Sequence, residues 1–176
     1  MGVDSLRGQL LIAAPQLVDY FRRSVVLVLD HGEDGAMGLV LNRPTETGVV
    51  EAVPALAEMT GYGDVVHAGG PVEPATVLAL GDFEDPEQAG SAVTGTLGLL
   101  DPDRPAPDVR RLRVFAGYAG WAPGQLDAEV SEKAWVTAPV AHDDPFFDGD
   151  LWPVVLQRMG GGYALMASMP ADPSMN

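Results

Sequence analysis

The chain has 176 residues, of which 47% are hydrophobic and 20% charged, a composition typical of one globular domain. Its formal net charge of −15 repels phosphate backbones and anionic membranes, which argues against direct nucleic-acid binding and against membrane association. The absence of cysteine excludes disulfides, thiolate catalysis and cysteine-based metal sites.

The N-terminal stretch does not have the pattern of a secretion signal, because an acid precedes its short apolar run. The longest aliphatic run, at 25–29, is far too short to cross a bilayer. A cytoplasmic protein is therefore expected.

The first half of the chain predicts strands separated by sharp turns, at 8–14, 24–30 and 36–42. The run at 24–30 is apolar on both faces, which is typical of a buried strand. The short loop 31–35 joins it to the next strand, so the two strands are predicted to form a hairpin. Apolar residues at helical spacing predict a helix over 50–59, with Pro54 in its first turn.

The second half mixes strands and helices without a regular βαβ rhythm. Strands are predicted at 64–72, 75–83, 91–100, 110–120 and 135–140, and helices at 124–134 and 151–159. The proline-rich stretch 101–108 predicts a loop, and the glycines at 160–162 predict a helix end and turn. The pattern indicates a single α+β domain with a mostly antiparallel sheet and a few short helices.

Searches for catalytic motifs find none. The chain lacks a phosphate-binding loop, a G-x-G-x-x-G after a strand, a G-x-S-x-G elbow and any H-x-x-x-H or H-E-x-x-H pair. The histidines, His31, His67 and His142, are widely separated in sequence. No cofactor and no metal are predicted, and the catalytic residues, if any, stay unassigned.

The first group of candidate binding residues lies at 42–44, where a buried strand reaches the surface. Arg43, beside Asn42, could hold a carboxylate or a phosphate bidentately. It could equally pair with an internal acid and fix the loop, and this structural interpretation is favoured.

The second group combines "HAGGPV" at 67–72 with "GYAGWAPGQ" at 117–125. Gly69 and Gly70 could bare amide groups for an anion beside Tyr118, Trp121 and Gln125. Alternatively the glycines form a turn and the aromatic rings are core or interface anchors, which is the favoured interpretation.

These stretches, together with "LRGQLLIAAPQL", "FRRSVVLVLDH" and "GAMGLVLNRP", closely resemble the AlgH/YqgE family of bacterial proteins. The resemblance implies one domain over 1–170, with a frayed end at 171–176, and a bifurcated sheet of which a part closes into a small barrel. It also brings a label of transcriptional regulator without a mechanism. The candidate binding positions are Arg22, His31, Asn42, Arg43, Gly69, Gly70, Tyr118, Trp121 and Gln125.

The leading hypothesis is a non-enzymatic binding or regulatory protein that affects transcription indirectly. It would contact an unknown protein or small molecule through the surface at 42–44, 69–72 and 117–125. The alternative is a hydrolase or transferase acting on a small anionic metabolite, with Arg43 or Arg22 holding the anion and His31 as base. Trp152 and the phenylalanines at 146–147 are either core residues or the face of a homodimer.

Overall fold

A computed structural model describes residues 5–103 and 108–169, which form one branched sheet flanked by short helices. The strands are β1 Gln9–Ala13, β2 Val25–Gly32, β3 Gly35–Val40, β4 Pro44–Gly48, β5 Val65–Ala68, β6 Val72–Phe83, β7 Ser91–Thr94, β8 Leu97–Leu99, β9 Val109–Trp121 and β10 Trp135–Pro139. The α-helices are α1 Val49–Ala52, α2 Gln125–Ser131, α3 Leu151–Met159 and α4 Gly161–Ala167. Short 3-10 helices cover Pro54–Met59, Pro86–Gln88 and Asp144–Phe146. The end predicted at 171–176 lies outside the described residues.

The sheet branches at β9. The main path runs β10-β1-β2-β3-β9-β6-β8-β7, and each pairing along it is antiparallel. The branch consists of β5, which pairs parallel with β9 at Phe115 and Ala116, and β4, which pairs with β5. A mostly antiparallel, bifurcated α+β sheet is therefore confirmed.

The barrel implied by the resemblance is wrong, because the sheet stays open. In the described part of the chain β10 and β7 end the path, and no ladder joins them. The sheet curls enough for Gly8 to lie against Thr94 and for the Arg7 guanidinium to donate a hydrogen bond to the Ala92 carbonyl. These are turn and side-chain contacts, and they do not close a ring of strands.

The predicted hairpin of β2 and β3 is confirmed, and it forms the centre of the core. On one face of the sheet Leu27 and Leu39 belong to a buried cluster that α3 covers with Trp152. On the other face Val26 and Val28 pack in a second cluster with Trp121. Burial on both faces explains the unbroken apolar sequence of β2.

Trp152 is a core residue. Its side chain is completely buried, and its indole N–H donates a hydrogen bond of 2.8 Å to the Ala13 carbonyl. It is therefore not available for the homodimer face considered from the sequence, whereas Phe147 is exposed.

Two predicted elements are divided in the structure. The helix expected over 50–59 ends after α1, because Pro54 has no N–H to donate and begins a 3-10 helix instead. The strand expected over 91–100 is two strands, β7 and β8, which turn at Gly95 with a φ of +55°.

The glycines at 160–162 do more than end a helix. Gly160, with a φ of +74°, ends α3 as predicted, but α4 begins directly after it. The sequence did not predict α4, because the helix begins with two glycines and glycine is a poor helix former. Within residues 5–103 and 108–169, every helix is too short or too polar to span a bilayer.

Gly70 is required by the close approach of two backbone segments. It has a φ of +154°, and a Cβ built on it would lie 2.1 Å from the carbonyl carbon of Tyr118 in β9. We expect Gly70→Ala to destabilise the protein by about 2–4 kcal/mol, because either the backbone or β9 must shift.

The matched control is Gly162→Ala in α4, where a Cβ meets nothing within 4 Å. Alanine is the better helix former, so this variant should gain up to about 1 kcal/mol. Urea denaturation of both variants measures the difference. Equal stabilities of the Gly70→Ala and Gly162→Ala variants would contradict the close approach of Gly70 to the β9 backbone.

Candidate functional site

Asn42 extends the β2–β3 pairing with its side chain. Its Oδ1 accepts a hydrogen bond of 3.0 Å from the Val25 backbone N–H, and its Nδ2 donates to the Arg23 carbonyl at 2.9 Å. The amide thus acts like one more peptide group of β3. Nδ2 also donates to Asp150 Oδ1 at 3.2 Å, which links the strand end to the beginning of α3.

Arg43 and Arg22 fix a loop. The Arg43 guanidinium donates to the Arg22 carbonyl at 3.0 Å and lies 4.6 Å over the Tyr20 ring. Its partners are thus a carbonyl and an aromatic face rather than the internal acid considered from the sequence. Arg22 contributes its backbone to this contact, and its side chain is exposed.

His31 is held at both ring nitrogens. Its Nδ1 accepts the Leu6 backbone N–H at 2.9 Å, and its Nε2 lies 3.0 Å from Asp127 Oδ1. A neutral ring in this arrangement carries its proton on Nε2, so its lone pair is already in use. The side chain is 4% exposed. This geometry ties the N-terminal segment to α2 and gives the general-base hypothesis no support.

Trp121 and Gln125 belong to a hydrogen-bonded cluster around Glu129 in α2. Glu129 Oε1 accepts the indole N–H groups of Trp121 at 3.1 Å and of Trp135 at 3.0 Å, and Oε2 accepts from Gln125 Nε2 at 2.8 Å. One carboxylate therefore satisfies both tryptophans and fastens α2 to the sheet.

Gly69, Gly70 and Tyr118 lie where β5 ends against β9. The Gly69 N–H donates to Ala116 in β9, and its carbonyl accepts from Val40 at the end of β3, so it bridges the two branches of the sheet. The Tyr118 hydroxyl donates to Glu73 at 3.2 Å. Desolvation of the phenol, together with the Glu73 carboxylate, raises the pKa of Tyr118.

The candidate residues therefore lie in separate places. His31, Trp121 and Gln125 surround α2, whereas Asn42, Arg43 and Arg22 lie at the opposite end of the β2–β3 hairpin. Six residues of extended strand separate Val25 from His31, a span of about 20 Å. The hairpin register thus keeps these two groups apart.

A cleft of about 560 Å³ opens beside the β4–β5 branch. Its wall includes Asn42 of the predicted surface, but its other polar residues were not predicted. They are Thr60, Tyr62, Asp64, His67, Arg113, Asp148 and Asp150.

His67 in β5 is the most unusual of these side chains. It is 6% exposed, its ring packs 5.8 Å from that of Phe115, and its Nδ1 lies 3.2 Å from the Val65 carbonyl. A carbonyl only accepts hydrogen bonds, so Nδ1 carries the proton and Nε2 keeps a lone pair. Nε2 has no hydrogen-bond partner in the described part of the chain. Burial and the Arg113 charge lower the pKa of His67.

The unpaired Nε2 reaches the cleft. Among residues 5–103 and 108–169, every fully buried side-chain nitrogen or oxygen has a partner, so an unpartnered Nε2 must be accessible. His67 lines the cleft, so we infer that a ligand in the cleft can reach Nε2.

Arg113 supports the cleft wall and has little capacity left for a ligand. Its Nη1 donates to the carbonyls of Pro145 at 3.2 Å and Phe147 at 3.0 Å, and its Nη2 donates to Asp148 at 2.7 Å. Only 12% of the side chain is exposed. In the described ranges, no group of acids and histidines has the geometry for a metal ion.

Sequence reasoning missed His67 as a site residue, although the signal was present. A histidine inside the apolar run "VVHA" is a polar group in a buried strand. Asp148 and Asp150 come from a distant loop, and only the fold brings them to β5.

Comparison with known proteins supports the resemblance. Residues 10–164 match a family model described as AlgH-like. A UPF0301 protein of Streptomyces coelicolor is 42% identical, with 99% of this chain and 97% of that protein aligned. A UPF0301 protein of Thermobifida fusca is 43% identical, over 98% and 96% of the two chains.

Solved structures agree with these matches. The crystal structure of the Corynebacterium diphtheriae protein DIP2367 superposes with a TM-score of 0.84 at 28% identity, covering 92% of this chain and 91% of that one. The solution structure of AlgH from Pseudomonas aeruginosa gives a TM-score of 0.70 at 28% identity, with 95% of each chain covered. The family resemblance is confirmed.

Glu129→Ala removes the acceptor shared by two largely buried tryptophans, Trp121 and Trp135. We expect a loss of about 1–3 kcal/mol, because both indole N–H groups lose their partner. The control Glu132→Ala changes an exposed acid at the end of the same helix and should stay within about 0.5 kcal/mol of the wild type. Thermal unfolding followed by tryptophan fluorescence measures both. A similar loss in the two variants would refute the shared-acceptor role.

The lowered pKa of His67 predicts a pH-dependent contribution to stability. In the unfolded chain a histidine has a pKa of about 6.5. As the pH falls through that value, the unfolded state therefore binds a proton more readily than the folded state does. The wild type should therefore lose stability relative to His67→Gln as the pH falls from 7.5 to 5. Chemical denaturation across that range checks this. His142→Gln, at an exposed histidine, should keep the wild-type dependence.

Proposed function

The chain belongs to the AlgH-like family, and we propose that it is a non-enzymatic binding protein whose small-molecule ligand occupies the His67 cleft. The observation that carries this proposal is the unpaired Nε2 of a histidine that is only 6% exposed. Nε2 is accessible and keeps a free lone pair on an otherwise buried ring, so a ligand that donates a hydrogen bond can pair with it.

The cleft has the size and composition of a ligand site. Its volume of about 560 Å³ falls within the range of sites for small molecules and cofactors. It combines apolar residues such as Val49 and Phe147 with a similar number of polar and charged residues, which can give a ligand both contact area and orientation.

Binding is better supported than catalysis. A general base needs a nucleophile or substrate held against it and a group that orients it. The orienting group exists, the Val65 carbonyl, but no described side chain is hydrogen-bonded to the His67 ring. The alternative of a hydrolase or transferase on an anion relied on His31, Arg43 and Arg22. The first two are engaged in holding the fold, and the Arg22 side chain lies outside the cleft wall.

The proposed role is regulatory and indirect. A net charge of −15 opposes contact with DNA phosphates, so ligand occupancy would be read by a partner protein rather than by an operator sequence. The same proposal places the protein in the cytoplasm, as expected from the sequence.

Native mass spectrometry of protein purified from its own cells tests this function. The wild type should carry a retained small molecule, and His67→Phe should lose it, because phenylalanine has no acceptor. His142→Phe changes an exposed histidine in the same way and should keep the added mass. Melting temperatures establish that each variant is folded.

A wild type without any retained molecule, or one retained equally by folded His67→Phe, would contradict the proposal.

A further inference from the structure

We propose that the His67 cleft selects an organic cation, a ligand with a primary ammonium group. This inference rests on the proposed function and adds the chemical class of the ligand. It depends on the charges of the cleft wall, on the kind of hydrogen-bonding atoms left free there, and on the aromatic rings beside them.

The charge of the cleft wall is negative. Its charged residues are Asp64, Asp148, Asp150 and Arg113. The Arg113 guanidinium is paired with Asp148 at 2.7 Å and also satisfies two carbonyls. Asp64 and Asp150 therefore remain without a neutralising cation in the wall. A wall with an excess of carboxylates attracts a positive ligand and repels an anion, most strongly at low salt.

The free side-chain atoms of Asp64 and Asp150 are acceptors. Asp64 Oδ2 accepts a hydrogen bond from the Gly61 backbone N–H at 2.7 Å. Asp150 Oδ1 accepts hydrogen bonds from Asn42 Nδ2 and from the backbone N–H of Trp152. In the described part of the chain the second oxygen of each carboxylate has no hydrogen bond.

The imidazole supplies an observation independent of the carboxylates. His67 Nε2 is a further acceptor, on a side chain more than nine-tenths buried. A ligand that pairs with His67, Asp64 and Asp150 must therefore bring the donors. An ammonium group brings three donors and a positive charge together, which matches both requirements.

Aromatic rings add a third attraction for a cation. Tyr62 lines the cleft with its side chain completely exposed, and Phe147 lines it at 39% exposure. The face of an aromatic ring attracts a cation electrostatically, and weakly at exposed positions. Because the Tyr62 side chain is fully exposed, packing in the core does not explain why a large aromatic residue occupies this position.

Titration calorimetry at pH 8 and low salt tests the class of ligand. The probes are 1,4-diaminobutane and Nα-acetyl-lysine amide, which carry the same ammonium chemistry as a free amine and as a lysine side chain. Succinate and inorganic phosphate are the anionic comparators. We expect saturable binding of at least one amine and none of the anions. Tighter binding of 1,4-diaminobutane would indicate a free amine as the natural ligand, and tighter binding of Nα-acetyl-lysine amide would indicate a lysine side chain of a protein.

Charge-neutral variants locate the binding. Asp64→Asn and Asp150→Asn should each weaken amine binding about twofold to fivefold, the effect of removing one solvent-accessible charge. Asp64→Asn keeps an oxygen that can accept the Gly61 N–H, so its fold should be unaffected. Glu132→Gln removes one negative charge from the end of α2 and should leave the affinity unchanged.

The outcomes separate this inference from the proposed function. Binding of an anion, absence of amine binding, amine binding that Asp64→Asn and Asp150→Asn both leave unchanged, or equal weakening by Glu132→Gln would overturn the proposal of a cationic ligand. If any of these occurs while the cell-derived molecule is still lost in His67→Phe, the cleft remains a ligand site for another chemical class. If the cell-derived molecule is absent as well, both proposals fail.

Discussion

The close approach of β5 to β9 is the constraint on which the architecture depends. β9 pairs along one side with β6, while β3 and β5 pair with it at successive positions. The end of β5 reaches β9 only because Gly69 and Gly117 lack side chains: a Cβ on Gly69 would lie 2.4 Å from the Gly117 carbonyl oxygen, and one on Gly117 would lie 2.5 Å from that of Gly70. The branch that carries His67 exists because these backbones touch.

The residues that make the chain recognisable as AlgH-like mostly hold this branched sheet together. Asn42 continues a strand with an amide, Arg43 fastens a loop, and Trp121 shares the Glu129 carboxylate with Trp135. Their chemistry is turned inward, toward carbonyls, indoles and carboxylates of the same chain. Most residues typical of the family therefore describe its scaffold, whereas His67, the first residue of "HAGGPV", lines the proposed ligand site.

The sequence predicts local structure well here and long-range structure poorly. The β2–β3 hairpin, β9 and α3 follow from apolar runs and turn residues, whose signals lie within a few positions of one another. The branch at β9, the open sheet and the division of 91–100 into β7 and β8 depend on pairing between distant segments. The site shows the same limit: His67 is visible as a polar residue in an apolar run, but nothing local connects it with Asp148.

A branched open sheet has more than two edges, and each edge offers unpaired main-chain groups to other chains. In the described part of this protein the terminal strands are short: β10 has five residues and ends in Pro139, β7 has four, and β4 at the end of the branch has five. Brief edges, one of them finished by a residue without an N–H, give a neighbouring strand little length to add to. Together with mutual repulsion between copies of charge −15, this protects the branched sheet against edge-to-edge aggregation without requiring it to close.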